Sequence, residues 1–369
     1  MPDPTPTDLL QQRTQTSFVT LNLITQACHG ILNTTFTPPA DKKPDWFDDL
    51  KGKLDAAKVV AQNWIDNIAP DVTGGVPLQV IDYGATFSAV AGQIQAIVAA
   101  HPDAQGADDP YVKQVHQLVS VLVDEVSGMI TKADATATSL KTWGDKMQTA
   151  HDQLSTGAVN IQKAESDLQT DVDKMNTAIT TLQKMIHDEN IAIAVSAGGI
   201  GVGLLLLVVG IALAPETGGG TLVLAGTGGL LIIGGTVTWA VMQDKINKQF
   251  KEIAGDQAEL DSDKRQLVAL KGLDTASSQA INYTTSATSS LSDFRTSWTV
   301  FEGELKGVLS NLEKAESALS TLLEGTFTQA AVTEWATATA FAQSLADAPV
   351  QVPVKELPMQ GSLAAADAA

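Results

Sequence analysis

Apolar side chains recur at helical spacing over two long stretches of this chain. Before the centre, one seam reads Leu154, Ile161, Leu168, Met175, Leu182, and the interleaved seam reads Ala158, Glu165, Val172, Ile179, Ile186. This is a heptad with one polar exception, Glu165. After the centre, Leu291, Trp298, Leu305, Leu312, Leu319 alternate with Phe294, Phe301, Val308, Ala315, Leu322, both seams apolar throughout. Ile246, Phe250, Ile253, Leu260 and Leu267 form a looser version between them, spoiled on the second seam by Gln257 and Lys264. Period-2 alternation between turn residues is not sustained anywhere, so the predicted fold is all-α.

Proline sets the permitted helix lengths, because it lacks the N–H a helix interior needs. Pro2 to Pro6, Pro38, Pro39 and Pro44, then Pro70, Pro77, Pro102 and Pro110 divide the first third into three short-to-medium helices, roughly 7–36, 45–68 and 79–100. Beyond Pro110, two proline-free stretches flank Pro215. An unbroken helix over 110–189 would be roughly 120 Å long, with Gly128, Gly144 and Gly157 as places to bend. An elongated bundle of very long helices is expected.

The centre breaks this pattern. Between Asn190 and Asp244 the one ionisable side chain is Glu216. The first apolar run, 191–214, carries Ile191, Ala192, Ile193, Val195, Ile200, Val202, Leu204, Leu205, Leu206, Leu207, Val208, Val209, Ile211 and Leu213. The second, 221–242, carries Leu222, Val223, Leu224, Leu230, Leu231, Ile232, Ile233, Val237, Trp239 and Val241. As a helix, either run would measure on the order of 33–36 Å against a hydrocarbon core of about 30 Å. Between them Pro215, Glu216, Thr217, Gly218, Gly219 and Gly220 form a reversal, so the pair reads as a membrane-inserting hairpin. Lys184 lies before it and Lys245, Lys248 and Lys251 after it, whereas the tip carries only a carboxylate and is the easier end to push across a bilayer. Gly199, Gly203, Gly226 and Gly234 supply the small surfaces that close helix contact in lipid uses, and Trp239 stands where it could anchor at an interface. Ser196 and a few threonines are too little to line a water-filled pore, so an amphipathic lumen would have to come from elsewhere.

Composition narrows the partners. The 369 residues carry Lys+Arg 23 against Asp+Glu 42, a formal net charge of -19, which repels a phosphate backbone and argues against nucleic-acid binding. The same charge disfavours electrostatic adhesion to anionic lipid, so membrane activity must come from hydrophobicity. The single cysteine, Cys28, leaves no intrachain disulfide. The start, MPDPTPTDLLQQRTQ, has neither the basic region nor the apolar run of a cleavable signal, which predicts cytoplasmic origin or export by another route. The proline-interrupted, alanine-rich segment 346–369 reads as a flexible C-terminal tail.

No catalytic, cofactor or metal site is predicted. The histidines are scattered, and His187-Asp188-Glu189 reads as the end of a charged segment rather than a ligand set. Gly199, Gly201 and Gly203 lack the Gly-Lys-Ser/Thr of a phosphate loop. Asp103, Asp108 and Asp109 lack calcium-loop spacing, and Cys28-His29 sits in an apolar helical pattern with no third member.

Shorter helices, then very long heptad helices interrupted by a bilayer-length hairpin: over roughly 7–345 this arrangement resembles the α-helical pore-forming toxins of the cytolysin A type, nearest to the haemolysin BL and non-haemolytic enterotoxin components and their Gram-negative tripartite relatives. The resemblance implies a tail bundle of long helices, 7–189 with 243–345, and a head, 190–242, that shelters the hairpin in water and releases it at a target-cell lipid bilayer. It further implies a non-enzymatic cytolysin without cofactor, the two-span (B) component of a secreted tripartite toxin, which oligomerises with itself and with two homologous components. Two other readings stay open on the residues alone: a resident two-span membrane protein with a structural coiled coil, and a soluble helical scaffold with a buried apolar core.

Overall fold

The computed structural model describes residues 5–34, 47–164, 203–204, 207–213, 221–227, 231–232, 262–314, 316–323, 325–347 and 355–358. Seven α-helices are described: α1 Pro6–Asn33, α2 Phe47–Asn63, α3 Ala69–Ala100, α4 Pro110–Ala164, α5 Ser262–Lys314, α6 Leu319–Leu322 and α7 Gln329–Ala346. Five short strands accompany them: β1 Gly203–Leu204, β2 Leu207–Leu213, β3 Thr221–Thr227, β4 Leu231–Ile232 and β5 Lys355–Pro358. The fold is thus helical, and α4 alone, at 55 residues, is about 80 Å long.

The helix starts follow local chemistry. Thr5 and Asp8 form a reciprocal cap on α1: Thr5 N donates to Asp8 Oδ2 at 3.0 Å and Asp8 N to Thr5 Oγ1 at 3.2 Å. Asp109 caps α4 by accepting from Tyr111 N at 2.8 Å and Val112 N at 3.2 Å, with Pro110 in the first turn where no N–H is needed. The acidic loop before it is a turn, with Gly106 at φ 97°.

Prolines 70 and 77 do not divide the chain as their positions predict. Residues 47–100 are continuously helical, through a π-helical turn, Trp64–Ile68, and with Pro77 inside α3. In the π turn the Ala69 N–H donates to the Trp64 carbonyl, one residue further back than in an α-helix, and the widened turn directly precedes Pro70. Burial along the segment offsets the hydrogen bonds that the prolines remove: Trp64, Val72, Val76, Val80 and Tyr83 are all buried.

The chain divides into two compact units. The first comprises residues 1–18, 71–140 and 287–348. On α4 its buried apolar positions are Val112, Val115, Val119, Leu122, Val126, Met129, Ala133 and Leu140; on α5 they are Ala287, Leu291, Phe294, Trp298, Phe301, Leu305, Val308 and Leu312. The alternation of three and four residues is that of a coiled-coil seam. An aromatic cluster fills the centre: Tyr83 lies 5.2 Å from Trp298 and 4.6 Å from Trp335, both edge-on, with Phe87, Phe301 and Phe327 around them. Burial, then the Glu304 and Glu125 carboxylates, hold the Tyr83 phenol well above its ordinary ionisation range.

The second heptad stops earlier than its spacing predicts. α5 ends at Lys314, and Leu319, fully buried, begins the separate α6. The chain turns off because it pairs with the α3–α4 loop: Leu319 N donates to Ala104 O at 2.9 Å, Ser320 N to Pro102 O at 3.2 Å, and Gln105 Nε2 to Glu316 O at 2.8 Å. A straight continuation of the helix would forgo these bonds.

The second unit comprises residues 19–70, 141–286 and 349–369. Trp64 and Trp143 meet as a tilted pair with ring centroids 4.8 Å apart, both fully buried, and both indoles are satisfied: Trp64 Nε1 donates to Thr25 Oγ1 and Trp143 Nε1 to Val60 O, each at 2.9 Å. In this unit α5 buries the small residues Ser277, Ala280 and Thr284. The small side chains permit a close helix approach at Gly144, where a Cβ would stand 2.7 Å from Thr284 Cγ2. Gly144→Ala is therefore expected to destabilise the protein by about 1–2 kcal/mol, the overpacking cost outweighing alanine's better helix propensity. Thr284→Ser removes the obstructing methyl and keeps the hydroxyl that donates to Ala280 O, so the double variant should recover most of the loss in urea denaturation.

Among the described residues, the first predicted heptad can be followed only at its start. Leu154 is buried on α4, and the positions from 165 to 186 lie outside the described residues.

Candidate membrane-inserting hairpin

The described residues of the central apolar segment pair as antiparallel strands, where the absence of period-2 alternation predicts no strand. β2 pairs with β3 as Gly210↔Ala225, Ile211↔Leu224, Ala212↔Val223 and Leu213↔Leu222, and β1 pairs with β4 as Gly203↔Ile232 and Leu204↔Leu231. All six pairs are symmetric about one point between Thr217 and Gly218, so the two pairings share a single register. Leu207↔Thr227 departs from it by one residue, an irregularity between Leu207 and Gly210. The point of symmetry falls inside the Pro215–Gly220 reversal read from the sequence.

The strand state has a simple physical origin. A continuous apolar run carries no period, so it fits a buried strand as well as a buried helix. Here the run also carries many Val and Ile, which favour a strand, and Gly, which weakens a helix. None of the described helices is long and apolar enough to cross a membrane.

Of the residues assigned to insertion, Leu204 lies in β1; Leu207, Val208, Val209, Ile211 and Leu213 in β2; Leu222, Val223 and Leu224 in β3; Leu231 and Ile232 in β4. Of the contact glycines, Gly203 is in β1 and Gly226 in β3, placed in strands rather than helices. Ile191, Ala192, Ile193, Val195, Gly199, Ile200, Val202, Leu205, Leu206, Leu230, Ile233, Gly234, Val237, Trp239 and Val241 lie outside the described residues, as do the turn residues Pro215, Glu216, Gly218, Gly219 and Gly220.

A third strand joins this sheet, and sequence reasoning missed it. In the segment read as a flexible tail, β5 pairs antiparallel with β3: Thr221↔Pro358, Leu222↔Leu357, Val223↔Glu356 and Leu224↔Lys355. The sheet order is β2-β3-β5. The signal available was Val354-Lys355-Glu356-Leu357 between Pro353 and Pro358, the proline-bounded form of an edge strand.

Cys28 is fully buried and its thiol is raised well above the ordinary range by desolvation, the opposite of an activated nucleophile; burial lowers the neighbouring His29. Among the described residues no group of three or more His, Cys, Asp or Glu could hold a metal ion.

No family model matches the sequence, and no curated protein matches it. Solved structures do. The soluble SmhB component of the tripartite α-pore-forming toxin Smh from Serratia marcescens aligns at TM-score 0.65 and 16% identity, over 94% of this chain and 93% of that one. The Bacillus cereus HblL1 toxin component aligns at TM-score 0.69 and 12% identity, over 94% and 98%. Soluble SmhA of the same Serratia toxin aligns at TM-score 0.65 and 13% identity, over 93% and 94%. The chain has the fold of the α-helical pore-forming toxins of the tripartite type, over nearly its whole length.

Proposed function

We propose that this protein is a component of a secreted tripartite pore-forming cytolysin, without enzymatic activity of its own. In this reading the hairpin is held as strands in water, then leaves them at a target-cell membrane and inserts 191–214 and 221–242 as two helices. The chain then oligomerises with copies of itself and with two homologous components. The carrying observation is a pair of uncharged runs, each of bilayer-spanning length, whose described strands pair antiparallel in one register, in a chain whose fold is that of tripartite toxin components. Exposed apolar patches beyond a few hundred Å² make proteins associate, so such a segment must be covered in water and uncovered only where lipid replaces the cover.

SmhA and SmhB share the fold alike, so the choice of component rests on the sequence. Two successive runs, each long enough to span, favour the two-span component; a lumen-lining amphipathic element would come from a partner.

Flotation on phosphatidylcholine–cholesterol vesicles tests the reading, using protein purified without detergent and a deletion of residues 191–242 as control. Full-length protein should float and the deletion should stay behind. Recovery of the full chain only in detergent would instead mark a resident membrane protein, and a deletion that floats equally well would end the hairpin's role.

A further inference from the structure

Without β5, the apolar strand β3 would be an open edge. Its sequence, Thr221-Leu222-Val223-Leu224-Ala225-Gly226-Thr227, has no charge and no proline, the composition that recruits strands from other chains. The strand that covers it is of the opposite kind. β5 carries Lys355 and Glu356 and ends on Pro358, which has no N–H to offer a further neighbour. Charge and proline are the means by which natural sheet edges refuse additional partners.

The attachment is reversible by construction. The described strand is four residues long, and the chain's single cysteine rules out an intrachain disulfide to hold it. It is also incompatible with a helical hairpin. The backbone N–H and C=O groups of β3 that bond to β5 cannot serve a helix at the same time.

We propose that Lys355–Pro358 is a detachable edge strand, which keeps the apolar hairpin extended and unavailable to other chains in water and must leave before the hairpin can insert. This rests on the insertion reading above for its last step only; the covering of β3 stands independently.

Two variants test it. In a Cys28→Ala background, Leu222→Cys with Leu357→Cys places two thiols on residues that face each other in the register, a spacing that a disulfide can bridge. The oxidised protein should associate with phosphatidylcholine–cholesterol vesicles about tenfold more slowly than the same protein after dithiothreitol, because the closed state can no longer open. Equal rates would overturn the proposal. Removing residues 349–369 should, in lipid-free protein, accelerate amide hydrogen exchange in β3 by about tenfold or more while α4 and α5 keep their protection. Unchanged β3 exchange would overturn it equally. If no form of the protein, stapled or free, associates with vesicles, the insertion reading fails, and the exchange result alone decides whether β5 covers β3.

Discussion

Leu204→Asp should weaken vesicle association by about 100-fold while leaving the helical bundle folded. Leu204 lies near the middle of the 191–214 run, opposite Leu231 in the hairpin. A carboxylate at the centre of a spanning helix costs about 2.5–3.5 kcal/mol on insertion scales, which corresponds to a factor of roughly 70 to 400. In water the penalty is far smaller, because the substitution falls at one pair of a hairpin outside the helical seams that stabilise the fold. The control is Leu78→Asp, which adds the same charge at a side chain 49% exposed on α3. Vesicle titration with both variants separates insertion from a change in net charge: the Leu78 variant should bind like the parent. A Leu204 variant that binds within fivefold of the parent would sink the two-helix insertion reading, and unchanged far-UV circular dichroism would show that the bundle had survived.

Trp298→Ala should cost about 3–5 kcal/mol of folding stability, read as the shift in urea midpoint with an unchanged slope. Trp298 is fully buried and stands 5.2 Å from Tyr83, 5.8 Å from Phe294, 6.1 Å from Phe301 and 6.2 Å from Trp335. Its removal leaves a cavity lined by rigid rings that cannot collapse into it. Trp298→Phe should cost considerably less. The indole N–H of Trp298 finds no acceptor among the described residues, so phenylalanine relinquishes a buried unsatisfied donor along with the volume. A Phe variant as unstable as the Ala variant would mean that the indole is bonded after all.

The long helices were legible because their signal is local and repeated. Every apolar position from Leu291 to Leu312 named from the heptad is buried in the structure. The same alternation runs from Val112 to Leu154 on α4, equally visible in the sequence though unremarked until the burial is seen. The proline and three glycines of Pro215–Gly220 are a turn signal in the sequence, and the pairing of β2 with β3 is centred between Thr217 and Gly218. Pro70 and Pro77 misled, because the cost of a lost helical hydrogen bond was set against nothing: Trp64, Val76 and Tyr83 are buried along the same segment, and a π turn takes up the register at Trp64–Ile68.

From sequence alone come the helical seam from Leu291 to Leu312, the two uncharged central runs and the single cysteine that leaves no intrachain disulfide. Each follows from side-chain type and spacing along the chain. The tertiary structure decided the rest: that the apolar runs are paired as strands, that Lys355–Pro358 closes their edge, and that α5 gives way at Lys314 to bonds with the Pro102–Ala104 backbone. A run without period fits helix and strand alike. Which one forms depends on where its backbone hydrogen bonds find partners, and here a partner lies more than a hundred residues away.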